Sequence, residues 1–446
     1  MRATFDTVAD HALGRLAPGE DLLLWWAEEQ STFCRFNHAR VRQVGAVDQR
    51  NLTLRLIRGR RHASASLTLG RGGDEDRGRV DATLAELRAM LAHLPEDPHL
   101  LWNEAGGLHI ESADEDAAID ADAIVADVAR LGGDLDLVGI LAAGPIARGF
   151  ASSRDSRCWH QRANWHFDYS LHLQADKAVK ASVAGTAYAP GGADADRLAV
   201  SILGARERLA LLALPVVTVP RGAYRAWLEP AAVAEILGLM SWGGFSAESQ
   251  QTRQSPLLKL AAGERSLASS VELEEDTAGG FAPRFTPEGF LRPDRVPLVR
   301  AGAHAGALVA PRSAAEYGLD SNGAGADESP ESLSMAAGSL DPAQAAALVG
   351  DGVWIGNLWY LNWSDRMAAR MTGMTRFASF AVRDGAIVGP LSVMRFDDSV
   401  YRVLGEGLAG LGNHAELMPD AGTYGARSTA CARAPGALIE DFAFTL

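Results

Sequence analysis

The chain has 446 residues, 47% hydrophobic and 22% charged, enough for two or three domains with full cores and ordinary for a globular protein. Its formal charge of −14 and pI near 5.3 repel phosphate backbones and speak against nucleic acid as a direct partner. Three scattered cysteines, Cys34, Cys158 and Cys431, form no CxxC pair, which argues against a disulfide framework, excludes a thiolate zinc knuckle and fits a reducing, cytoplasmic compartment.

Residues 1–10 carry Asp6 and Asp10 and lack the basic-then-apolar pattern of a secretory signal. Spacing predicts helices over 5–16 and 20–30, the second with Leu22, Leu23, Trp25 and Trp26 crowding one side. From 32 to 69 the pattern alternates and predicts three antiparallel strands, with turns at Asp48-Gln49-Arg50-Asn51 and Arg58-Gly59-Arg60. The basic run Arg58, Arg60, Arg61 and His62 reads as a solvated strand face or turn, with Asp74, Glu75 and Asp76 following. Helices are expected near 80–94 and 119–131, strands over 136–147 and 164–174, and a long helix over 193–214 with Leu198, Ile202, Ala205, Leu209 and Leu212 on one stripe. Pro215 and Pro220 end that helix and mark a boundary between domains 1–218 and 219–446. The longest apolar run, 209–220, is too short to span a membrane.

A short strand over 224–228 leads into a helix opened by Pro230, with Val233, Ile236, Leu237 and Met240 as its core face. Residues 275–340 lack periodicity, and 321–334 is the expected mobile loop. Strands return over 353–360, 377–382, 386–393 and 437–444, with a helix over 399–408. Strands and helices arrive in blocks, which predicts an α+β protein: an N-terminal two-layer domain and a larger, mainly β C-terminal domain.

The C-terminal stretch carries Asn357-Leu358-Trp359-Tyr360-Leu361-Asn362-Trp363, then Met371-Thr372-Gly373-Met374-Thr375-Arg376-Phe377, Asp384-Gly385, Gly389-Pro390 and Arg395-Phe396-Asp397-Asp398-Ser399. This ordered set resembles the TldD/PmbA family, with Leu391 where the family often has Val. The residues 36–69 resemble its opening sheet, whereas 100–215 match weakly. The resemblance implies peptide cleavage. In the family's TldD-type subunit a helix after the domain boundary carries H-E-x-x-x-H, whose histidines bind zinc and whose glutamate activates water. Here those positions fall on Gly238, Leu239 and Gly243, which offer no metal ligand and no base. Cys431 lies near the family's ligand cysteine and, without the histidines, reads as a buried small residue.

This chain is therefore expected to have no catalytic residue, no metal ligand and no cofactor of its own. The implied role is a non-catalytic PmbA (TldE)-type subunit of a zinc metalloprotease complex that degrades unfolded or leader peptides. Its partner would be a zinc-bearing TldD-type sister subunit or a second copy. An independently active metallopeptidase with unrecognised ligands and a peptide-binding regulator remain as alternatives. Candidate peptide-groove residues are Trp359, Trp363 and Arg376; read from the residues alone, the tryptophans are also ordinary core aromatics and Arg376 a sheet-edge salt bridge. His160, His166 and His172 recur every six residues, which reads as the polar outward face of a half-buried strand; a metal pair at His160 and His166, with Asp168 as a carboxylate neighbour, would need a bend or hairpin.

Overall fold

The computed structural model describes residues 1–71, 73–114, 119–173, 178–186 and 193–445. Helix α1 (Arg2–Leu13) leads into β1 (Asp21–Asn37), β2 (Arg40–Arg58) and β3 (Arg61–Leu69), each antiparallel to the last. Then come α2 (Asp74–Leu91), β4 (His109–Ala113), α3 (Ala121–Gly132), β5 (Asp136–Ser152), β6 (Ser156–His172), β7 (Ala178–Thr186) and α4 (Ala193–Leu212). Their strands form one sheet in the order β3-β2-β1-β5-β6-β4, with β7 also on β6. Gln174, the expected end of the strand that became β6, lies outside the described residues.

Two local expectations are corrected here. Residues 20–30 are not a helix but most of β1. Leu22, Leu24 and Trp26 face α1 and α2, while Leu23 packs on the opposite face and Trp25 meets Phe285 there. A strand covered on both faces reads as a continuous apolar run, and over so short a stretch that run mimics a helix. The second correction is that no turn occurs at Asp48-Gln49-Arg50-Asn51; β2 runs straight through. Those polar residues have polar partners across the ladder: Gln49 Nε2 donates to Glu29 at 3.0 Å and Arg50 pairs with Glu28 at 2.9 Å. The chain reverses instead at His38 and Ala39, both with positive φ, and at Gly59 as expected. The basic turn has acidic partners: Arg58 pairs with Glu20, and His62 Nε2 lies 3.2 Å from Asp97 Oδ2.

Helices cover one face of this sheet: α1 and α2 at one end, α3 and α4 at the other. The second face is covered by coil from the C-terminal half, which carries Phe281 and Phe285 and the stretch 420–430.

That half opens with β8 (Gly222–Leu228) and α5 (Pro230–Ser241), with proline at the first helical turn as expected. Strands β9 (Leu273–Glu275), β10 (Val296–Arg300), β11 (Ala303–His304), β12 (Ser332–Met335), β13 (Gly352–Ile355), β14 (Trp359–Asp365), β15 (Arg370–Met374), β16 (Ser379–Arg383), β17 (Ala386–Pro390), β18 (Arg395–Ser399), β19 (Leu408–Pro419) and β20 (Cys431–Phe444) complete a thirteen-stranded sheet among the described residues. Long β20 is its spine, pairing with β12, β8, β18 and β19. The fold class is α+β.

Asp384 and Gly385, at φ 48° and 73°, turn β16 into β17, as their sequence signals. The expected helix over 399–408 shrinks to one wide turn at Arg402–Glu406. The stretch 321–334, read from composition as a mobile loop, is coil up to Glu331 and strand from Ser332. Its Glu328 is buried and accepts hydrogen bonds from Ser246 Oγ, Glu248 N and Ala310 N, so the polar composition there also serves neighbouring backbone.

Candidate functional site

The helix expected at the family's zinc position is α5. Val233, Ile236, Leu237 and Met240 are all fully buried in the core that also holds Ile439 and Phe442 of β20, each contributing roughly 1.5–3 kcal/mol. Gly238 sits on the exposed face, with open space where a Cβ would be. Leu239 is buried with the core. Gly243 lies beyond the last helical residue at φ +77°, and a Cβ there would stand 2.6 Å from the Arg366 guanidinium. A bulkier residue would be strained as well as crowded. These three positions therefore do not fit a zinc ion, and no group of three or more His, Cys, Asp or Glu side chains suited to a metal occurs among the described residues. Glu229, just before the helix, is committed to structure: it pairs with Arg208 of α4 at 2.5 Å and accepts from Trp354 Nε1 at 2.9 Å. Glu235 is exposed. Cys431 is buried, and burial pushes its thiol up from its ordinary range.

The candidate groove residues separate. Trp359 and Trp363 are four apart and would share a face in a regular strand. The ladder between β14 and β15 slips, pairing Trp359 with Met374 but Asn362 with Thr372, and so one extra residue is inserted. Tyr360 lies in that slip, at φ +57° and 77% exposed. As a result Trp363 packs on the α5 core, while Trp359 lies half-buried on the opposite face. Arg376 is not paired in a sheet-edge salt bridge with any described carboxylate. Its guanidinium lies 4.4 Å from the Trp359 ring centre, a cation–π contact, and Tyr360 touches the same ring at 5.4 Å between centroids. A positive φ on a bulky exposed aromatic is costly, which marks this corner as one the surroundings hold in place.

Sequence reasoning missed the polar seam between the two sheets. His160 and His166 are not outward residues: both are buried beneath the coil of the C-terminal half, and β6 has no bend between them. His160 Nε2 lies 2.9 Å from the Phe281 carbonyl oxygen. Burial, reinforced by nearby arginines, lowers His160 to about 3 and His166 to about 4. His172, at the strand end, is half-buried. Arg427 enters the seam from the 420–430 coil. Its backbone N–H donates to Glu29 at 2.9 Å. Its guanidinium reaches Ser31 Oγ at 3.2 Å, the Gly144 carbonyl at 2.9 Å and Asn164 through both its carbonyl and its side chain. Burial lowers Arg427 to about 10. Glu275 on β9 accepts from the backbone N–H groups of Glu331 and Ser332, yet burial raises its carboxyl to about 7. The sequence signal was the parity of Glu29 and Ser31 on β1 with His160 and His166 on β6, but it also needed the coil that covers them.

The profile of the PmbA/TldA metallopeptidase C-terminal domain matches residues 221–446. The chain belongs to the TldD/PmbA family. No curated protein matches the sequence. Among solved structures, TldE from Thermococcus kodakarensis is similar with a TM-score of 0.79, 14% identity, and coverage of 99% of this chain and 100% of that one. A Thermotoga maritima protein described as a candidate modulator of a DNA gyrase has a TM-score of 0.74 at 12% identity, covering 100% of both chains. Its Bacteroides thetaiotaomicron counterpart gives 0.73 at 16%, covering 100% of this chain and 98% of that one. At such identities the likeness is one of fold. Family and fold together make the chain a TldD/PmbA-type, metallopeptidase-like protein, and no helix among the described residues is long and apolar enough to cross a membrane.

Proposed function

We propose that this TldD/PmbA chain is a non-catalytic subunit of a zinc metalloprotease complex that handles unfolded or leader peptides. The observation that carries this reading is α5, where Gly238, Leu239 and Gly243 stand in the place of two histidines and a general base. The fold likeness to a protein named TldE supports it. The chain would form one wall of a shared chamber and offer extended peptide a place beside Trp359 and Arg376, with zinc held by a TldD-type sister subunit. The free outer edge of β14, which pairs among described strands with β15 alone, suits an extended chain added as a strand.

Elemental analysis of the chain purified alone from zinc-supplemented medium tests the reading, together with peptidase assays with and without chelator. Near-zero zinc is expected, with peptide hydrolysis only after mixing with a zinc-bearing sister subunit. One zinc per chain, with chelator-sensitive hydrolysis by the chain alone, overturns it.

A further inference from the structure

The corner at the start of β14 combines an open edge, exposed apolar surface and cations. Across three strands Trp359, Met374 and Arg395 stand in one row, because Trp359 pairs with Met374 and Met374 with Arg395. Arg376 lies over the Trp359 ring, and Tyr360 and Val393 are exposed. Arg395 donates from Nε to Thr372 Oγ1 at 3.2 Å. Among the described residues neither Arg376 nor Arg395 forms an ion pair. The carboxylates on this face lie further along: Asp397 is taken by Arg370, and Asp365 accepts from the Ala368 N–H at 3.1 Å. On a chain with a formal charge of −14 this is a local cationic spot beside an aromatic platform.

We propose that this corner selects extended peptides that carry an acidic residue, placing its carboxylate between Arg376 and Arg395 while neighbouring apolar side chains lie on Trp359 and Tyr360. The proposal rests on the peptide-binding reading above and adds the substrate class. Backbone hydrogen bonds to the β14 edge are indifferent to sequence, so side-chain selectivity must come from what flanks the edge. An arginine stacked on an aromatic ring keeps its outer N–H groups available in a fixed plane, a geometry that suits a carboxylate.

The test is fluorescence anisotropy with three labelled peptides of otherwise identical, apolar extended sequence, bearing a central Glu, Gln or Lys. Each is titrated with the intact chain and with Arg376→Gln, Arg395→Gln and Trp359→Ala, after circular dichroism has verified folding. The Glu peptide is expected to bind about fivefold tighter than the Gln peptide, in line with exposed arginine–carboxylate contacts, and the Lys peptide more weakly still. Either arginine substitution should erase the Glu preference while leaving the Gln peptide nearly unchanged, and Trp359→Ala should weaken all three. Equal binding of all three peptides, still weakened by Trp359→Ala, overturns the acidic selectivity and leaves the peptide-binding reading standing. Absence of binding by every peptide overturns both. A Glu preference that survives both arginine substitutions places it elsewhere on the molecule and also overturns the proposal.

Discussion

Around α5 the buried side chains are hydrocarbon: Val233, Ile236, Leu237, Leu239 and Met240 fill the space beside β20, and the helix has no polar group turned inward from its middle turns. Across the seam the burial is just as complete, but Glu29, His160, His166, Glu275, Asn164 and Arg427 fill it. Several of their atoms, including Glu29 Oε1, His160 Nδ1, His166 Nε2 and Arg427 Nε, have no hydrogen-bond partner among the described residues. The two regions therefore tolerate different changes. A hydrocarbon core responds to lost volume, whereas a buried polar seam responds to lost partners, because each remaining charge then stays desolvated and unpaired.

The largest effect should come from removing the seam's central donor. Arg427→Ala leaves Asn164, Ser31 and the Gly144 carbonyl without their guanidinium, and with about 1–3 kcal/mol for each buried acceptor left unsatisfied, a loss of about 3–5 kcal/mol is expected in chemical denaturation. The same variant should be nicked faster by protease within 420–430. An unchanged denaturation midpoint would show that the seam contributes no more than a surface contact.

A second, intermediate effect is a pH dependence of the seam. Glu275 is held above its unfolded value, so its stabilising contribution is complete below about 4.5 and disappears as pH rises through about 7. Glu275→Gln keeps an acceptor oxygen for Ser332 N–H and should therefore gain on the wild type, on the order of 2 kcal/mol, in melts at alkaline rather than acidic pH. His160 and His166 act in the opposite sense. Both are held below their unfolded value of 6.5, so their contribution is present above that pH and is lost on acidification toward 4 and 3. His166→Gln should flatten the acid limb of the same stability profile; a limb left unchanged would remove His166 from the account.

The smallest effect is expected at α5. Gly238 is an exposed mid-helix glycine with nothing within 4 Å of an added Cβ, so Gly238→Ala should stabilise by about 0.5–1 kcal/mol in thermal melts. At Gly243 the same substitution should destabilise, because the φ of +77° and the Arg366 contact both oppose a side chain. Opposite signs at these two positions would fix the helix end between them.

Much of the architecture was legible because it is written in short-range pattern. The stripe on α4, the Pro230 start of α5, the Asp384-Gly385 turn and the alternation from Leu52 through β3 each depend on neighbours a few residues away. The absence of donors at Gly238, Leu239 and Gly243 is likewise a property of residue type, needing no coordinates. Strand β1 escaped because its two buried faces erase alternation, and the false turn at 48–51 arose because polar residues in a strand look like a loop until their partners at Glu28 and Glu29 are known. Spacing leaves Trp363 open between core and groove because parity cannot foresee the slip at Tyr360, and it matches Arg376 with an acid because a ring 17 residues upstream is invisible to spacing. The His160–His166 face looked solvated because the coil that covers it comes from more than a hundred residues later. The amino-acid sequence thus determined which segments form strands and helices in the main, and which chemistry is missing from α5. Tertiary structure alone decided which polar residues are buried together and which aromatics face outward, since desolvation and register depend on what the distant chain lays over each face.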